Sequence, residues 1–186
     1  MEIKKHPKTL RRQDTVLLII DIQEKIIKVI YDYRRVIQNV IKLIKGFKIL
    51  DIPVFFTEQY PKGLGNTIPE LKKELTGDAI EKMTFSCSGA EGLIKKFIDN
   101  DIKQVVVCGV ESHVCVQQTV LDLLSNGFQV NVAADAVSSR REFDFEFAVQ
   151  RMRNSGAEIT TTESILFELL NICGTPEFKA ISKIVK

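Results

Sequence analysis

The chain has no tryptophan and only two histidines, five prolines and four cysteines in 186 residues. No apolar run approaches the roughly 18 residues of a membrane span. His6 and His113 alone exclude a His-rich metal site, and no cluster of His, Cys and carboxylate residues takes its place. Cys87, Cys108, Cys115 and Cys173 show neither paired zinc spacing nor the pattern of a disulfide-stapled small domain. An excess of one charge is also missing. The 26 basic and 24 acidic residues leave +2, which gives no case for a nucleic-acid or membrane partner. The basic excess sits in Lys4, Lys5, Lys8, Arg11 and Arg12, expected as a solvated N-terminal arm. No signal-peptide apolar region follows Met1, and Glu2, Pro7 and the lack of serine make a poor transit peptide. Reduced thiols in a cytoplasmic protein are the expectation.

What is present is a soluble globular composition, 45% hydrophobic and 27% charged, in a length suited to one domain over residues 1–186. Strand and helix patterns alternate with no repeat or linker. Strands are expected at residues 15–21, 53–57, 105–108 and 128–132, with weaker ones at 79–83 and 157–160. Between them lie a long helical face (Val36, Ile37, Val40, Ile41, Ile44, Phe47) and helices near 69–75, 90–100, 113–125, 144–154 and 163–170. That alternation predicts a Rossmann-like three-layer α/β/α fold around a six-stranded, mostly parallel sheet. Right-handed crossovers put the carboxyl ends of all strands on one edge, where ligands bind.

The most informative stretch is 104–119. A buried β-branched run, Val105 to Cys108, breaks at Gly109, and Ser112 is placed to cap the helix that follows. Cys115 then falls in the first turn, where free N–H groups and the helix dipole favour a thiolate and can hold an oxyanion. A cysteine there can equally be a small core hydrophobe. Cys108, inside the strand, is read as core.

Asp21 ends an apolar strand, where a carboxylate can act as a base or simply cap a helix. Lys82, at the end of the weak third strand, can lower the pKa of a thiol or stabilise an oxyanion, or can face solvent. His113 is two residues from Cys115, so the two side chains diverge around the helix and a Cys-His dyad is disfavoured. Gly63-Leu64-Gly65 lacks phosphate-loop spacing and reads as a flexible lid.

Residues 17–23, Lys82 and the run Cys108-Gly-Val-Glu-Ser-His-Val-Cys115 through Thr119 together resemble the isochorismatase-like cysteine hydrolase superfamily, over about residues 13–170. The loop 57–65 looks closest to isochorismatase domain-containing proteins and their YcaC-related bacterial relatives. The resemblance implies a catalytic triad of Asp21, Lys82 and Cys115. It also implies a cis peptide at Val110-Glu111 that turns the Glu111 N–H toward the oxyanion beside that of Cys115. Gln23, Glu58, Gln59 and Ser112 are candidate substrate-binding residues, with surface or capping roles as their alternatives. The Asp-x-His metal motif of the superfamily's nicotinamidases is absent, since residues 58–63 read Glu-Gln-Tyr-Pro-Lys-Gly. Isochorismatases that cleave a vinyl ether lack the cysteine that stands here as Cys115.

The expectation is therefore a hydrolase of a small amide- or imide-like C–N bond, with no cofactor and no metal. By the same resemblance the chain should form a homo-oligomer. A catalytically silent binding or scaffold protein and a thiol redox protein are the alternatives. The apolar helix with Ile165, Leu166, Leu169 and Leu170 could serve an interface or, by ordinary packing, the core.

Overall fold

Residues 16–20 and 105–108 carry no polar side chain, and all are buried on both sides of the sheet, as the centre of a parallel sheet requires. The structure, a computed structural model, describes residues 4–186, so Glu2 lies outside it. Among the described residues six strands form one sheet: β1 (Thr15–Ile20), β2 (Val54–Gln59), β3 (Ile80–Lys82), β4 (Gln104–Val110), β5 (Gln129–Ser138) and β6 (Glu158–Thr160). Every pairing is parallel, in the order β3-β2-β1-β4-β5-β6.

The helices are α1 (Tyr33–Ile49), the single turns α2 (Pro61–Leu64) and α3 (Pro69–Lys72), α4 (Leu93–Asp99), α5 (Gln117–Ser125), α6 (Glu142–Asn154), α7 (Thr162–Leu170) and α8 (Pro176–Val185). Side chains alternate across the sheet. Leu17, Ile19, Val106 and Cys108 pack with α1 and α7 on one face. Val16, Leu18, Ile20, Val105 and Val107 pack with residues of α4, α5 and α6 on the other. The three-layer α/β/α fold is thus as expected.

Ile165, Leu166, Leu169 and Leu170 are buried, so α7 serves the core. Its approach to α1 is close: a Cβ on Gly46 would lie 2.2 Å from a Leu166 methyl. Cys108 is core as well. The basic arm is largely exposed at Lys4, Lys5, Lys8 and Arg11.

Three local expectations need correction. β5 runs on to Ser138 rather than stopping near 132, because its pairing with β4 resumes past an irregularity at residues 107–109. A separate helix, α8, follows Thr175, whose hydroxyl accepts the Phe178 N–H as an N-cap. The 63–65 segment is pinned rather than loose. The Gly65 carbonyl accepts from Gln23, and the Leu64 carbonyl accepts the Lys25 N–H.

The strand order reverses direction between β1 and β4, where the chain leaves one half of the sheet for the other. In open α/β sheets the crevice at such a switch point is where ligands bind. β1 ends there just before Asp21, and β4 leads into the turn toward Cys115.

Candidate active site

The elbow is built by close backbone approach. Gly109 has φ +116°, and a Cβ there would sit 2.1 Å from the Ile20 carbonyl oxygen of the neighbouring strand. Only glycine lets β4 run this near the end of β1. The Val110-Glu111 peptide is cis. After it comes one π-helical turn, Ser112–Val116, and then α5. Ser112 does not cap the helix as expected. Its hydroxyl is buried with no hydrogen-bond partner among the described residues.

Asp21, in the left-handed region at φ 52°, turns its carboxylate into the crevice. One oxygen accepts the Thr57 hydroxyl at 2.7 Å, and the other accepts Lys82 Nζ at 2.7 Å. Lys82 also donates to Gln59 Oε1 at 2.7 Å and to the Phe85 carbonyl at 3.0 Å. Neither partner of the ion pair reaches solvent appreciably. Burial works against the Lys82 charge, but the Asp21 carboxylate beside it outweighs that and holds its pKa above the ordinary lysine value.

Cys115, 7% exposed, completes the group. Burial, then the Asp21 charge, push its thiol pKa far above the usual range against the opposing pull of Lys82. The protonated thiol is therefore the favoured form at rest. The thiolate expected from the helix start alone is suppressed by desolvation. The three residues proposed from sequence as catalytic do converge. His113 does not join them: its ring pairs with the Ser139 hydroxyl at 2.9 Å and points toward Asp144.

The four candidate substrate contacts divide. Gln59 lies against Lys82, and Ser112 lies in the elbow. Gln23 is fully engaged in the scaffold: its amide donates to the Gln59 and Gly65 carbonyls and accepts the Gln59 N–H. Glu58 is two-way displaced from that crevice. Strand alternation puts it on the face opposite Thr57 and Gln59, where it accepts both the Thr67 N–H and hydroxyl. It borders a separate cavity of about 760 Å³ with Glu24, Asn66 and Lys72, which touches none of Asp21, Lys82 or Cys115. A smaller cavity of about 280 Å³ opens beside Lys82, Met83 and Gly89. The backbone of Glu111 lies in the elbow, while its carboxylate accepts the Arg140 N–H and Nε at 3.1 and 2.9 Å.

Sequence reasoning missed Thr57, Thr119, Cys87 and Arg140. Thr57 was findable, being two residues before Gln59 on the same strand face. Thr119 accepts the Cys87 N–H at 2.9 Å and donates to the Cys115 carbonyl at 2.7 Å, tying the elbow to the segment after β3. Cys87 is buried in that segment, and its thiol is pushed up to about 11 by burial and then by Asp21. Among the described residues no group of three or more His, Cys, Asp or Glu converges as a metal cage.

A doubly wound parallel sheet with a buried carboxylate, lysine and thiol at its switch point defines an α/β protein of the kind that gathers its polar groups at the carboxyl edge of the sheet. The chain belongs to the isochorismatase family: the family model described as the isochorismatase domain matches residues 15–164. It is 40% identical over 179 residues to isochorismatase domain-containing protein 2 of Xenopus laevis, covering 95% of this chain and 85% of that one. It is 39% identical over 179 residues to the secreted isochorismatase effector Isc1 of Phytophthora sojae, covering 92% and 84%. A solved structure named as the MAR1 ribonuclease of Caenorhabditis elegans superposes with a TM-score of 0.87 at 36% identity, covering 95% and 91% of the two chains.

Proposed function

We propose that the chain is a metal-independent cysteine hydrolase that cleaves the C–N bond of a small amide- or imide-like substrate through a thioester. The observation that carries the reading is the buried Lys82–Asp21 ion pair, whose charges act on the buried Cys115 thiol beside it. A thiol held neutral at rest is activated only as it reacts. Cys115 Sγ attacks the carbonyl carbon while Asp21 takes its proton. The oxyanion is received by the N–H groups of Glu111 and Cys115. Collapse expels ammonia or an amine, which leaves with the proton from Asp21. Water, deprotonated by Asp21, then hydrolyses the thioester and restores the thiol. Lys82 stays bound throughout and balances the charge on Asp21. The unpartnered Ser112 hydroxyl is available to a polar atom of the substrate, and Gln59 orients Lys82.

The size of the cavity beside Lys82 supports a small substrate. RNA hydrolysis, the activity in the name of the nematode structure, is the competing reading. It is disfavoured for this chain because the one lysine of the triad is committed to Asp21, while the same cavity is lined by Glu81 and Glu91, which repel phosphates. The four cysteines are free thiols, which supports cytoplasmic residence, although the Phytophthora relative is named as secreted. Among the described residues no helix is long and apolar enough to cross a membrane.

The test is an ammonia-release screen over amides, ureas and imides, with an RNA oligonucleotide in parallel and Cys115→Ala as control. Ammonia from at least one substrate, abolished in the variant, is expected. RNA cleavage surviving in Cys115→Ala, or no turnover of any compound, contradicts the reading; the latter favours a silent binding protein.

A further inference from the structure

The chain leaving β5 grips the elbow from the side opposite Lys82. Ser138, the last residue of β5, pairs with Val110 at the end of β4. Its hydroxyl donates to the Tyr31 carbonyl at 2.7 Å, and the Ser139 carbonyl accepts the Tyr31 N–H at 2.8 Å. Both serines are fully buried, so the segment has a fixed backbone before it reaches Arg140. From that base two consecutive residues reach into the elbow. The Ser139 hydroxyl accepts the His113 N–H at 3.3 Å and pairs with the His113 ring Nδ1 at 2.9 Å. Arg140 donates its own N–H and its side-chain Nε to a single oxygen, Glu111 Oε2. Glu111 and His113 are thus held from outside, with the unpartnered Ser112 between them.

The charges make this more than a structural tie. The Glu111 carboxylate is almost wholly withdrawn from water, while the Arg140 side chain is more than half exposed. A buried carboxylate needs a cation, and among the described residues Arg140 is the one paired with it. Left unpaired, that negative charge would belong to the same residue whose N–H receives the oxyanion. It would then repel the charge that develops in the transition state. Because both Arg140 bonds end on one oxygen, any rotation of Glu111 breaks them together.

We propose that Arg140 and Ser139 are positioning residues for the hydrolysis, clamping Glu111 and His113 so that the Glu111 N–H faces the forming oxyanion. This role rests on the thioester mechanism proposed above. Neither residue touches the reacting atoms. The oxyanion exists only after attack, so the clamp acts on kcat and leaves substrate binding nearly untouched. His113, which takes no part in the proton transfers, serves here as the second anchor point.

Hydrogen exchange of the peptide spanning residues 111–116, with circular dichroism to confirm folding, tests the clamp without any substrate. Arg140→Ala should speed that exchange about tenfold, Ser139→Ala should speed it less, and Arg140→Lys should stay near the parent. With a substrate from the ammonia screen, Arg140→Ala should lower kcat roughly tenfold to a hundredfold, with KM within about twofold. Adding Glu111→Gln removes the stranded charge and should recover part of that kcat. Elbow exchange unchanged in Arg140→Ala would overturn the clamp. So would a loss that appears in KM alone, or a Glu111→Gln change that recovers melting temperature but no kcat. If the parent releases no ammonia, the hydrolase reading fails, and the exchange rates alone decide whether the elbow is held.

Discussion

Lys82 Nζ sits 2.7 Å from Asp21 Oδ2 with both side chains withdrawn from water, although the two residues stand at the ends of different strands, β3 and β1, with β2 between them. Two charges taken out of solvent together are tolerable, but one alone is not. Lys82→Met should therefore destabilise the fold by about 3–5 kcal/mol and also abolish turnover. Urea unfolding should show that adding Asp21→Leu recovers much of the lost stability and none of the activity.

The pH dependence of kcat/KM should carry no thiol limb. Burial and Asp21 raise the Cys115 pKa well above the ordinary thiol value of about 8.5. Raising pH through 8–9 should therefore bring little gain from its ionisation. A steep rise there would show that a free thiolate is the reactant. For the same reason iodoacetamide at neutral pH should modify the exposed Cys173 before Cys115, as read by peptide mass mapping.

Stability should fall in alkali. The Cys87 thiol is raised from 9.0 to about 11 in the fold. A raised pKa means that the unfolded chain ionises first as pH climbs. The stabilisation is fully present below pH 9 and is lost as pH rises through about 11. Two pKa units correspond to roughly 2–3 kcal/mol. Denaturation midpoints between pH 8 and 11 should show a smaller loss for Cys87→Ala than for the parent, once each is referred to its own value at pH 8.

Gly109→Ala should cost about 3 kcal/mol or more. Its Cβ would meet the Ile20 carbonyl, which is backbone and cannot swing away, at a φ that alanine resists. Because Ile20 precedes Asp21, surviving folded protein should also lose activity. A variant with wild-type stability and turnover would show that β1 and β4 have room at the switch point.

Much of this was legible from residues alone, because parallel sheets write their buried strands as continuous apolar runs. Residues 16–20 and 105–108 announced the centre of the sheet, whereas the grouping of Asp21, Lys82 and Cys115 came from the family resemblance, since each taken alone also allowed a capping, solvent-facing or core role. The failures have physical causes. Glu58 was grouped with Gln59 by adjacency, yet neighbours in a strand face opposite ways. Gln23 looked free because nothing in sequence reveals that its amide closes onto the Gln59 and Gly65 backbone from across a loop. Ser112 had the right residue type for a cap, but the turn after the cis peptide is π-helical and leaves its hydroxyl unpaired. The high pKa of Cys115 depends on burial by distant segments, so local helix-start reasoning predicted the opposite protonation state.

In the proposed mechanism Cys115 becomes acylated with the proton passing to Asp21. Rapid-quench intact mass spectrometry with a substrate found by the ammonia screen tests it most directly. A transient acyl adduct on the Cys115 peptide is expected, accumulating during turnover, decaying as acid product forms and absent in Cys115→Ala. Turnover without any adduct on that peptide, or an unchanged rate in the alanine variant, would contradict it.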